Sequence, residues 1–177
     1  PLVMLLETSY AALVEELCFR LLLIGLPLAA SLVLRTEVAR PGPIGAAALR
    51  ALFCPGALDE KTKRSLRPLA WLLVAASSLV FGAVHFLAGS WEVGKVLTAT
   101  VAGLVLGACF VKYGLHASML IHWYFNYHIQ VWVAAYEVVW WAPELAILGE
   151  SVILAELVLG AVSLIMFLVQ GIRLALR

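Results

Sequence analysis

The sequence predicts an all-helical, polytopic integral membrane protein of about five transmembrane helices with a polar cluster inside the bundle. Hydrophobic residues make up 64% of the 177 and charged residues only 13%, against roughly 45–50% and about 25% in a soluble domain. Mean hydropathy is +1.02, so most of the surface is built to face something other than water. The apolar residues also gather into stretches of the ~20-residue length at which a helix crosses the hydrocarbon core. At this length a single transmembrane domain, residues 1–177, is expected.

The first span, A, runs from about Leu2 to Leu26 or Leu34, depending on whether Pro27 kinks or ends it. Span B covers about Leu69–Leu87, span C Val96–Val111, span D Leu115–Tyr136 and span E Leu145–Val169. The first stretch lacks a basic n-region and a small-residue cleavage site and so does not read as a signal peptide. Between A and B lies the one polar connector, Arg35–Arg67, of mixed charge. It reads as a cytosolic loop, with an Ile44–Phe53 stretch apolar enough to lie on the membrane surface.

Basic residues set orientation. A cytosolic A–B connector also places Lys112, Arg173 and Arg177 inside and leaves only Lys95 outside, beside Glu92. Glu137–Glu144, with Trp140, Trp141 and Pro143, becomes an external interfacial belt. The expected orientation is N-terminus outside and C-terminus cytosolic, in the cell membrane. The net charge of +1 says nothing about a nucleic-acid partner, there is no basic tail, and no such partner is expected. Cys18, Cys54 and Cys109 are odd in number and far apart, without a C-x-x-C pair, which suggests neither a disulfide framework nor a zinc ribbon.

A charge at the bilayer centre costs at least ~2.5–3.5 kcal/mol and needs a partner or a use. Span A holds Glu15, Glu16 and Arg20. Glu16 and Arg20 stand four apart on one helical face, where a planar guanidinium suits a carboxylate. Glu15 points away from that face and is left over, as a general base requires. Span B carries His85, and span D carries His116, His122, Asn126 and His128. His122 and Asn126 share a face, and Asn126 is the only asparagine in the chain. His116 and His128 sit near span ends, an interfacial placement, and Cys18 reads as packing. Glu150 and Glu156 lie in span E, with the deeper Glu156 either an interhelix hydrogen-bond acceptor or part of the chemistry.

Three segments, Glu15-Glu16-Leu17-Cys18-Phe19-Arg20, Phe81-Gly82-Ala83-Val84-His85 and His122-Trp123-Tyr124-Phe125-Asn126, fall in this order on separate predicted spans. Together they resemble the motifs E-E-x-x-x-R, F-x-x-x-H and H-x-x-x-N of the CAAX protease and bacteriocin-processing family, which includes the type II CAAX prenyl endopeptidases. The resemblance covers roughly Leu2 to Tyr136 and implies an intramembrane endopeptidase acting on a membrane-anchored peptide or protein. It implies that Glu15, helped by His85, activates a water, that His122 and Asn126 donate to the oxyanion, and that Glu16 and Arg20 hold the helices. Family members usually carry helices ahead of the double-glutamate span. Since this chain starts at Pro1, it is expected to be either truncated or a reduced version.

No cofactor is implied. A zinc-dependent variant, with His85, His122 and a glutamate as ligands, is the alternative within the protease class, although no H-E-x-x-H is present. A non-catalytic peptide-binding or scaffold protein (an immunity or secretion partner) and a small transporter are the alternatives outside it. One geometrical problem stays open. Counting along the spans puts His85 near the outer side and His122 nearer the inner side, whereas catalysis needs them together. Tilt, a kink at Pro27 or an earlier start of span D would each reconcile them.

Overall fold

A computed structural model of the chain describes residues 2–34, 43–87, 93–138 and 143–175, and among these every regular element is helical. Helix α1 (Leu2–Glu16) runs through a π-helical segment (Leu17–Gly25) into α2 (Leu26–Leu34). There follow α3 (Ile44–Phe53), a 3-10 turn (Pro55–Ala57), α4 (Glu60–Leu87), α5 (Val93–Tyr113), α6 (Leu115–Val138) and α7 (Pro143–Ala175). Three of the described helical stretches are long and apolar enough to cross a membrane: Leu5–Leu34, Glu60–Leu87 and Val96–Tyr113. The chain is an integral membrane protein. Helices α6 and α7, of 24 and 33 residues, occupy the places of spans D and E. Arg35, Glu37, Arg40, Glu92, Trp140, Trp141 and Arg177 lie outside the described residues.

Pro27 does not end the first span, which stays helical to Leu34. In an α-helix the proline ring presses on the carbonyl four residues back. Here the turns before it are π-helical, and the Leu26 N–H reaches five residues back to the Leu21 carbonyl. The wider turn gives the ring room.

Little of the described part of the connector is loop. Asp59 caps α4 by accepting from the Thr62 N–H at 3.0 Å. The Thr62 hydroxyl and N–H hold the Asp59 carboxyl below its ordinary range. Helix α4 thus starts at Glu60, nine residues ahead of Leu69 where the apolar stretch of span B begins. The Ile44–Phe53 stretch is a largely exposed helix that docks through one face. Ala51 is fully buried in a core with Ile24, Leu28 and Leu32 of the first span, Leu66, Ala70 and Val74 of α4, and Phe110 of α5. Gly25 permits this docking, since a Cβ there would stand 2.3 Å from the Leu52 carbonyl oxygen.

Helices α4 and α5 pack antiparallel through small residues. Val74, Ser78 and Gly82 on α4 face Gly107, Gly103 and Thr100 on α5. Lipid supplies no hydrophobic drive between helices, so close van der Waals contact at small residues carries the association. Gly114, with φ +95°, ends α5 and turns the chain into α6.

The chain forms two compact units, Pro1–Tyr127 and His128–Arg177, with α6 passing from the first into the second. The second unit contains the end of α6 and α7. In it the Trp132 ring lies over Gly149, and His128 Nε2 stands 2.9 Å from Glu156 Oε2.

Candidate active site

The first unit brings the double glutamate, the span B histidine and the span D histidine to one place. Glu16 and Arg20 are fully buried and paired, with Arg20 Nε 3.4 Å from Glu16 Oε2. The pairing follows from the four-residue spacing, but it is not the bidentate fork that the residue types suggest. Arg20 Nη1 instead reaches the Ser77 hydroxyl at 3.3 Å, and that hydroxyl donates to the Phe19 carbonyl at 2.6 Å. Glu16 Oε2, Arg20 Nε and Arg20 Nη2 form no aligned hydrogen bond among the described residues. Charge, rather than directed hydrogen bonding, holds this pair.

Glu15 and Glu16 do not serve two separate faces, because one imidazole spans them both. His122 Nδ1 lies 2.9 Å from Glu16 Oε1, while His122 Nε2 lies 3.5 Å from Glu15 Oε2. His85 Nε2 approaches the same Glu15 oxygen at 3.7 Å. The separation counted along the spans therefore closes, because both rings reach the same Glu15 oxygen. The His85 ring is aimed by its own helix, with Nδ1 2.8 Å from the Phe81 carbonyl. A carbonyl only accepts, so Nδ1 is the donor.

Phe81 forms the wall between these groups. Arg20 lies over its ring at 5.2 Å from the centroid, a cation–π contact in a desolvated place. Its centroid is 4.4 Å from that of His85, 5.9 Å from His122 and 5.0 Å from Phe19. Phe81 is nearly fully buried. One ring thus serves all three motif segments.

Asn126 is half-buried one turn beyond His122 on α6, and no hydrogen bond of its amide to another described residue is seen. His116 is exposed in the first turn of α6. His128 and Glu156 belong to the second unit, where they pair with each other. Glu150 is exposed. Cys18, expected as packing, is exposed as well, on the outward side of the π-helical segment. Among the described residues no group of three or more His, Cys, Asp and Glu side chains is set to hold a metal ion.

Ser77 was missed by sequence reasoning, although it sits one turn before Phe81 on the same face of an apolar span. The buried Ser118 repeats that signal one turn before His122.

The model of the type II CAAX prenyl endopeptidase Rce1-like family matches residues 1–128. The chain belongs to that family. The match takes in all three motif segments, so membership rests on the part of the chain that builds this site. No curated protein and no solved structure matches. The Rce1-like family is one of membrane proteases, and the chain is a protease of that family.

Proposed function

We propose that this Rce1-like chain hydrolyses a peptide bond of a membrane-anchored peptide or protein by direct attack of a water held between Glu15 and His85. The observation that carries the reading is the meeting of Glu15 Oε2 with His85 Nε2 and His122 Nε2 at 3.7 and 3.5 Å. With Nδ1 of His85 donating to Phe81, Nε2 of the neutral ring offers a lone pair toward a carboxylate oxygen. Two acceptors facing across that gap suit a molecule that donates to both, and water does.

The water oxygen bonds to the scissile carbonyl carbon while its proton passes to Glu15. From Glu15 the proton has a path to His122 Nε2, whose ring then presents an N–H to the oxyanion. Glu16, accepting from Nδ1 and paired with Arg20, offsets the charge of that imidazolium. Asn126, one turn away, is the second donor. Such a donor is worth about 2.7–4 kcal/mol. Collapse of the tetrahedral intermediate breaks the C–N bond, and the proton goes to the leaving nitrogen. Glu15 and His122 are restored. The mechanism has no acyl-enzyme and no cofactor.

The substrate reaches this site from the membrane, and the family's name makes a prenylated CAAX peptide the first reporter to try. Five spans belong to this reading, with α6 and α7 as the fourth and fifth. So does a cell-membrane orientation with the N-terminus outside, drawn from the basic residues.

Reconstituted protein and a membrane-anchored reporter peptide provide the test. Cleavage should proceed unchanged in a chelator, and Asn126→Ala should lower turnover by roughly 10²–10³-fold. Loss in the chelator that only zinc restores would favour a metalloprotease using Glu15, His85 and His122. No cleavage of any membrane-anchored reporter would favour a scaffold.

A further inference from the structure

Helix α6 carries two neighbouring stripes of i,i+4 residues. One holds His122 and Asn126. The other holds Trp123 and Tyr127, and it binds the main chain of α1. Trp123 Nε1 donates to the Ser9 carbonyl at 3.1 Å, and the Tyr127 hydroxyl donates to the Leu5 carbonyl at 2.9 Å. The Ser9 hydroxyl closes the group, donating to the same Leu5 carbonyl at 2.9 Å and touching the Tyr127 oxygen.

The geometry is that of a register device. The two carbonyls are four residues apart on α1 and the two donors are four residues apart on α6. Leu5 meets Tyr127 and Ser9 meets Trp123, so the helices run antiparallel. A helix carbonyl keeps a second lone pair beyond its helical bond; that of Ser9 takes the Trp123 N–H, and that of Leu5 is shared by the Tyr127 and Ser9 hydroxyls. One rung leaves a helix free to pivot, but two fix both its axial position and its rotation. Beyond the second rung, the next α6 residue toward the N-terminus is His122, lodged between Glu15 and Glu16. A slip of one residue moves a helix by about 1.5 Å, more than a reacting geometry tolerates.

We propose that Trp123 and Tyr127 are positioning residues, which set α6 against α1 so that the His122 ring meets both carboxylates. They act through His122 and not on the reacting atoms. The kinetic half of the proposal rests on the hydrolytic reading above, whereas the placement of His122 against Glu16 does not.

Trp123→Phe/Tyr127→Phe removes both donors and keeps the aromatic bulk. Full-length protein in lipid nanodiscs, labelled with 15N-histidine, gives two readouts, with the His122 resonances assigned by their absence in His122→Gln. The double variant should lose ~10–100-fold in kcat with KM within about twofold. Its His122 ring resonances should move away from their parent positions. Tyr127→Phe alone, which removes a single oxygen, should shift both readouts in the same direction, and it serves if the double variant does not fold. An unchanged kcat overturns the proposal, as does a fall in kcat with the His122 resonances unmoved. If the parent cleaves no reporter, the hydrolytic reading fails by itself. The ring resonances then decide the positioning, and unmoved resonances overturn it.

Discussion

Glu15 and Glu16 are adjacent and chemically identical, yet their surroundings divide them. The Glu16 side chain has no exposed area and lies against Arg20, whereas Glu15 keeps 26% of its side-chain surface and faces two imidazoles. One carboxylate is tied to a permanent cation, and the other keeps part of its surface open. Removing one partner of a buried pair leaves an uncompensated charge and costs about 3–5 kcal/mol. Arg20→Ala should therefore lower the thermal stability of the protein in detergent, read by the loss of helical signal on heating, and an Arg20→Ala protein melting with the parent would mean that the pair contributes nothing. This pairing is legible in the sequence because it is local, four residues on one helix. The His122 contact with Glu16 joins residues 106 apart and is not. No periodicity tells which nitrogen of a distant ring faces which of two adjacent carboxylates.

Close approach at glycines decides which helices meet. The Gly103-Leu104-Val105-Leu106-Gly107 run was there to be read as a small-residue packing face, and it lies on Ser78 and Val74 of α4. The docking of α3 was not open to such a reading, because it depends on Gly25 in another segment, next to a π-helical stretch that composition does not announce. A methyl group at Gly25 meets the Leu52 backbone, which is not free to rotate away, so Gly25→Ala should destabilise the protein by about 1–3 kcal/mol. Gly45 lies in α3 itself with nothing within 4 Å of its would-be Cβ. Gly45→Ala should be neutral or stabilising by up to about 1 kcal/mol, as alanine is the better helix former. Melting both variants beside the parent checks the contrast, and equal losses would show that α3 does not dock through Gly25.

Membrane residence is the most legible feature of the whole molecule, because composition alone requires it, and the exposed large apolar residues of the long helices are mostly leucine, valine and isoleucine. Orientation rests on the basic residues, with Lys61, Arg64 and Arg67 exposed at the start of α4. In a cysteine-free background, Arg64→Cys should be labelled by an impermeant reagent only from the cytosolic side of cells or inverted vesicles. Labelling only from outside would reverse the topology. The site was partly legible at this scale, since three short motifs in order pointed to one cluster. The meeting of its two histidines was not, because counting along the spans separated rings that share one carboxylate oxygen. The central claim is that this shared oxygen, on Glu15, activates the attacking water. Turnover of a membrane-anchored reporter peptide by Glu15→Gln, which keeps the shape and removes the base, tests it most directly. The account predicts a loss of at least ~10²-fold with the parent's melting temperature nearly kept, and a Glu15→Gln protein that cleaves at the parent rate would contradict it.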